Sequence, residues 1–388
     1  MRSRYWRLVS LVTGWHVAAS VCYYAVFAGT TLLRDAFSLS AVSVGFVVTS
    51  LTLGYAVFLL PLGVATDRFG ERRTLSAGLC GLALGVTLIA AAPTFALVLV
   101  AAFLLGSFYG VATPGTNKAI FDNVEPSRQH RAIGIKQVGP PLGSAIGSVL
   151  VTGLVGVFFW QMGFLVAAAI GLTVAVLFYA TYTGGGTTDA AYPDFRGLLG
   201  NRRYVLLLVA GTCLGAAFYT TTGYTVLYVK ESVGAAVAVG GIVLATLQVF
   251  SSAGRVLAGW LGDTLPGRPS TRVGSLLSVQ VLGGGVLFLL VPVAGTPVES
   301  VVVFSLLGLF ALGSVGLYYS LISIVVPEED IGSASAGGQF AATFGGLLTP
   351  PAFGYLTETA GYGAAWGLLG LLSLLAVGLV TVVVLRSR

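Results

Sequence analysis

Charged side chains are scarce in this chain. Asp, Glu, Lys and Arg make up 9 % of its 388 residues, against about 25 % in soluble domains. That excludes an ordinary water-soluble globule. Cysteine is almost absent too. Cys22, Cys80 and Cys213 fall in apolar stretches with no metal-ligand spacing and no paired pattern, so small core residues are expected and neither a disulfide framework nor a metal site. There is no His-Glu metal pair, no Ser-His-Asp set in an apolar stretch and no phosphate loop. An enzyme is therefore not expected, nor any cofactor. Acid is missing from the apolar stretches: all 14 Asp and Glu residues fall in loops or at stretch ends. Buried carboxylates are the usual carriers of protons and partners of cations in membrane proteins, and none is expected deep in a span.

Apolar surface dominates instead. Apolar residues reach 56 % and mean hydropathy is +0.93. Runs of about 18 residues or more recur, each long enough to cross about 30 Å of hydrocarbon. Twelve spans are expected, over residues 8–33, 41–65, 74–92, 95–120, 132–158, 163–183, 204–229, 236–261, 273–295, 301–326, 333–357 and 363–385. The fold class is an all-α membrane protein of twelve transmembrane helices. Arg2, Arg4 and Arg7 precede the first span, which is too long for a signal peptide and reads as a retained helix. With both termini cytoplasmic, every Lys and Arg except Arg34 and Lys230 falls on the inner side, as the positive-inside rule demands. The net charge of +6 thus reports topology and contact with anionic headgroups of a cytoplasmic membrane, and no nucleic-acid partner is expected.

One turn occurs twice. Gly63-Val-Ala-Thr-Asp67-Arg68-Phe-Gly70-Glu71-Arg72-Arg73 follows the second span, and Gly259-Trp-Leu-Gly262-Asp263 with Gly267-Arg268 follows the eighth. The copies are half the chain apart. Other features repeat with them: Arg4-Tyr5 and Arg203-Tyr204 before spans one and seven, Gln137 and Gln339 in spans five and eleven. The one long polar stretch joins the two sets. Domains of 1–183 and 204–388, two pseudo-symmetric six-helix bundles, are expected around a cytoplasmic linker at 184–203. Parallel repeats of this kind place a solute path between halves that rock. The 54 glycines lie largely within spans, where small residues let helices approach and slide. Gly139-Pro140-Pro141-Leu-Gly143 in span five and Thr349-Pro350-Pro351 in span eleven should bend their helices.

These features together resemble the major facilitator superfamily, over essentially the whole chain. In that family the turn after the second helix reads roughly Gly-x-x-x-Asp-Arg-x-Gly-Arg-Arg/Lys. Gly63, Asp67, Arg68, Gly70, Arg72 and Arg73 match it, and Glu71 stands where a basic residue is common. The resemblance implies a cytoplasmic latch at this turn, with Gly259 and Asp263 as its counterpart. Gly139-Pro140-x-x-Gly143 resembles a pattern of exchangers and drug-efflux members, with Ile135 where an upstream glycine is usual. Gly254-Arg255-x-x-x-Gly259-x-x-x-Asp263 is similar to carboxylate and oxalate transporters, and implies anion contact at Arg255.

The candidate binding residues follow from scarce polar groups within spans. Arg255 lies roughly 12 Å above the second turn at the helical rise, shares a face with Gln248 and Ser252, and costs about 2.5–3.5 kcal/mol to insert. It either contacts an anion with its guanidinium or snorkels to the interface. Lys136 is expected to sit shallower. His16 shares a face with Ser20, Tyr23 and Phe27 in span one and is the group most able to titrate near neutrality. Tyr109 with Thr113, Tyr219 with Thr222, and Tyr318 with Tyr319 are candidate cavity linings. Lys118 is expected at the interface.

A secondary transporter working by alternating access is the function these features imply. The expected substrate is a small organic or inorganic anion, bound by Arg255, Gln248, His16, Lys136, Tyr219 and Tyr109. The alternatives are an exporter of apolar or neutral compounds, and a receptor that binds without translocating. A coupling proton or counter-anion is a candidate partner, and a monomer is expected. The topology is testable in a cysteine-free variant. Arg68→Cys and Arg268→Cys should react with an impermeant maleimide from the cytoplasmic face and Arg34→Cys from the opposite one. Reaction of residues 68 and 268 from opposite faces contradicts it.

Overall fold

Backbone amides in hydrocarbon have no water to bond, so each spanning segment must satisfy its own. A computed structural model describes residues 2–184, 186 and 196–386. Residues 185 and 187–195 of the expected linker lie outside the described residues. All regular structure among the described residues is helical. The helices are α1 (Arg2–Phe37), α2 (Ala41–Phe69), α3 (Glu71–Ala91), α4 (Phe95–Tyr109), α5 (Ala112–Phe121), α6 (Pro126–Lys136), α7 (Gly139–Gly153), α8 (Met162–Thr181), α9 (Arg196–Leu199), α10 (Arg202–Glu231), α11 (Val237–Thr264), α12 (Pro269–Leu290), α13 (Pro297–Phe310), α14 (Val315–Val325) and α15 (Ile331–Leu385).

Among the described residues, ten helical stretches are long and apolar enough to cross a membrane. Two features account for the difference from twelve. The fifth expected span is divided into α6 and α7 at Gln137–Val138, and Lys136, Gln137, Pro140 and Pro141 make this stretch less apolar than the others. Pro140 falls in the first turn of α7, where a missing N–H costs no helical bond. The last two spans run together in α15, whose one non-helical residue is Gly361 (φ 81, ψ 171). Pro350 and Pro351 lie inside that helix with helical backbone.

The chain divides into two compact units, Met1–Phe37 with Ser50–Tyr192, and Ser38–Thr49 with Pro193–Arg388. The first residues of α2 therefore group with the second unit. The reason is visible at the α15 prolines. Pro351 has no N–H for the carbonyl of Leu347, and the Thr49 hydroxyl donates to that oxygen at 2.6 Å. The Tyr224 hydroxyl lies 2.7 Å from the Ala41 carbonyl and 2.8 Å from that of Pro350. Glu358 accepts from the Ala41 amide at 2.5 Å, an acid at the start of α2.

In the first unit α1 packs on α7 and α8, and α3 packs on α4 and α8. The Trp15 indole donates to the Leu75 carbonyl at 3.0 Å. In the second unit α15 covers α10 and α12, while α11 packs on α13. Trp366 is fully buried there, with ring centres of Tyr228, Phe304 and Phe353 at 5.6, 5.6 and 4.9 Å.

The tightest crossings are made by reciprocal glycines. A Cβ on Gly54 of α2 would strike the Phe103 carbonyl, and one on Gly106 of α4 would strike that of Leu51. The second unit repeats this between α11 and α13, where Gly254 faces the Leu309 carbonyl and Gly308 that of Leu247. Gly215 and Gly345 do the same for α10 and α15, against Ala342 and Thr212. The internal repeat is thus written into the backbone contacts of each unit. Gly345→Ala should overpack the crossing by about 1–3 kcal/mol and lower the melting temperature in detergent. Gly367→Ala has open space around it and should leave that temperature unchanged or raise it. Equal effects would contradict the packing account.

Candidate solute site and basic turn

The polar face read from α1 meets the polar face of α4 and α5 inside the first unit. The Ser20 and Tyr109 hydroxyls lie 3.0 Å apart. The Tyr23 ring stacks on Tyr109 at 4.0 Å and 10°, and Tyr55 tilts against both. Gly139 and Gly143 let α7 lie on this part of α1: a Cβ on Gly139 would come 3.0 Å from that of His16, and one on Gly143 2.6 Å from that of Ser20. His16 is buried, and its Nδ1 has no hydrogen-bond partner among the described residues.

Lys136, the last residue of α6, is fully buried. Its ammonium donates to Asn117 Oδ1 of α5 at 2.7 Å. No carboxylate lies within 4 Å of it among the described residues. The expected depths are therefore reversed: Lys136 is the enclosed cation, while Arg255 is only half-buried. The cause is local. The α6–α7 break turns the end of α6 inward against α1 and α5, which a count of residues along one straight helix misses. Asn117 was not singled out by sequence reasoning, although it continues the four-residue spacing of Tyr109 and Thr113.

In the second unit Gln248 is buried with its Nε2 unpartnered among the described residues. Tyr219 is buried and packs on Gly346. Ser252 lies instead along an open apolar groove with Val256, Leu257 and Trp260, so of the expected shared face of Gln248, Ser252 and Arg255 only Gln248 is buried in the core. Gln280 of α12 was missed. Its amide nitrogen reaches the carbonyls of Gly254 and Leu309 at 3.4 and 3.2 Å, beside Arg255. Tyr318 and Tyr319 are tied to α15, through the Gly338 carbonyl at 3.4 Å and Gln339 Oε1 at 2.7 Å.

The duplicated turn differs between its copies. Gly70 has φ 78, a conformation that glycine adopts at little cost, and Gly63 faces Pro114. Asp67 pairs with Lys118 at 3.7 Å, and Lys118 also reaches Asp122 at 2.7 Å. Lys118, expected at the interface, is thus an ion-pair centre. Arg72 donates to the Tyr179 carbonyl at 2.9 Å and stacks on its ring at 4.5 Å. Arg68 and Arg73 are exposed. Glu71 is fully buried at the start of α3 and accepts from the Tyr182 hydroxyl at 2.7 Å and the Asn123 amide at 3.4 Å. Every one of these partners belongs to the first unit. Gly259 and Asp263 are exposed, and Asp263 forms no ion pair within 4 Å among the described residues.

Known proteins are similar to this chain in sequence and in fold. The chain is 24 % identical over 348 residues to the hexuronate transporter of Bacillus subtilis (strain 168), covering 85 % of this chain and 82 % of that protein. It is 21 % identical over 418 residues to the D-galactonate transporter of Escherichia coli O6:H1, with 99 % and 96 % covered. A crystal structure of a bacterial homologue of the human lysosomal transporter Spinster, inward-facing and unoccupied, superposes with a TM-score of 0.82 at 15 % identity, covering 100 % of this chain and 99 % of that one. Residues 15–341 match the sequence pattern of the Major Facilitator Superfamily. The chain therefore belongs to the Major Facilitator Superfamily and is a multi-pass membrane transporter.

Proposed function

We propose that this transporter moves a small organic anion of the sugar-acid kind across a cytoplasmic membrane by alternating access. The observation that carries the reading is Lys136. It is the fully buried basic side chain of the described residues, and its one hydrogen-bond partner among them is a neutral amide. A buried charge left uncompensated is costly, and an anionic solute offsets that cost when it binds. A solute that stabilises one state more than another also shifts their populations, which is what transport requires. The relatives named for hexuronate and D-galactonate support an acidic, hydroxylated solute.

Lys136 is assigned to the carboxylate, by a charge-assisted hydrogen bond. His16 and Tyr109 are assigned to neutral hydroxyls of the solute. Tyr219, Gln248 and Arg255 are candidate contacts of the second unit. Pro140, Pro350 and the flanking glycines are candidate points of bending, and the basic turn from Gly63 to Arg73 is a candidate latch. Both termini are assigned to the cytoplasm. A proton or a counter-anion is the candidate coupling partner, and the protein acts as a monomer.

Uptake into proteoliposomes tests the reading. Radiolabelled D-glucuronate and D-galactonate should accumulate and D-glucose should not. Lys136→Met should cut anion uptake about tenfold or more, the scale expected when a buried charge contact is lost. Transport of uncharged compounds alone, or unchanged anion uptake in Lys136→Met, overturns it. Arg255→Ala, measured alongside, decides whether the second unit contributes a cation: unchanged uptake removes Arg255 from the site.

A further inference from the structure

We propose that Asn117 is a positioning residue that sets charge selectivity, by orienting the Lys136 ammonium without neutralising it. The proposal rests on the anion reading above and deepens it. An ammonium carries three donors, and Asn117 Oδ1 takes one at 2.7 Å. An aspartate there would have nearly the same size and the same reach. It would form a closed ion pair and leave nothing for a solute anion to compensate. The amide supplies direction and leaves the charge whole.

The next residue of α5 provides the contrast. Lys118 has Asp122 at 2.7 Å and Asp67 at 3.7 Å. Two lysines that meet α5 are thus served in opposite ways. At one, carboxylates satisfy the ammonium internally. At the other, a carboxamide holds the ammonium open. Asn117 and Thr113 are half-buried while Lys136 is fully enclosed, so the pair is approached along the α4–α5 face that also carries Tyr109. The other titratable group near Lys136 is His16 on α1, buried with its Nδ1 unpartnered among the described residues. An imidazole adds no negative charge in either protonation state. Asp67 and Asp122 are already engaged with Lys118.

Binding to the purified full-length protein in detergent tests this, with radiolabelled D-galactonate and D-glucuronate as probes and the melting temperature followed in parallel. Asn117→Asp should lower affinity for both anions about tenfold or more while the melting temperature holds or rises, because the new carboxylate closes an ion pair. Asn117→Ser, which keeps a neutral acceptor, should stay within about threefold of the parent. A purely structural role gives the reverse order, because the aspartate is the closer isostere. If Lys136→Met loses anion binding but Asn117→Asp keeps it, the role of Asn117 falls and the anion reading stands. If Lys136→Met binds like the parent, both fall. Should Asn117→Asp not fold, Asn117→Ser carries the test, and a loss beyond about tenfold in a folded Asn117→Ser overturns the charge role.

Discussion

The structure depends on how its backbone carbonyls are met in a medium without water. Helices satisfy most of them internally, and the rest of the architecture follows from where helices come close enough for carbonyl oxygens to touch a neighbouring backbone. Gly54 with Gly106, Gly254 with Gly308, and Gly215 with Gly345 mark those crossings. A methyl group at any of them meets an oxygen. Packing of this kind is tight, carries no apolar driving force against lipid, and so relies on shape and on small residues. Where proline frees a carbonyl, a side chain takes it up: the Thr49 hydroxyl on Leu347 closes the gap left by Pro351.

Charge is handled by the same economy of partners. Glu71 is buried at the start of α3, where the helix end favours an acid, and takes donors from Tyr182 and Asn123. Lys118 sits between two carboxylates. Arg72 spends its guanidinium on a carbonyl and an aromatic face. Against this background Lys136 stands apart, because the described residues give it an amide and no acid. The basic turn is cross-linked within the first unit, whereas its copy at Gly259 and Asp263 is exposed. The two turns thus share a sequence pattern and differ in their side-chain partners.

Much of this was legible in the sequence. Apolar runs mark the spanning stretches because hydrocarbon thickness sets their length, although ten stretches qualify among the described residues where twelve were expected. The repeat of the Gly63–Asp67 and Gly259–Asp263 turns, together with paired glycines, exposes the two-fold construction. The faces of α1 and α4 could be read from helical spacing, and Ser20, Tyr23 and Tyr109 do meet. Tertiary facts were not legible. The depth of Lys136 depends on a break at Gln137–Val138, placed ahead of Pro140. The partner of Lys136 lies nineteen positions earlier in the chain, beyond any local pattern. The burial of Glu71 depends on Tyr182 and Asn123 from two other segments. Gln280 gave no signal, since its role is to reach carbonyls of α11 and α13 that only packing brings together.

The central claim is that a solute anion completes the charge of Lys136. Calorimetric titration of the purified protein with D-glucuronate and with D-glucose tests it most directly, because the two ligands differ chiefly by a carboxylate. The account expects saturable binding of the acid, abolished in Lys136→Met, and no measurable binding of the neutral sugar. Binding of D-glucose as tight as that of D-glucuronate, or acid binding indifferent to Lys136, would contradict it.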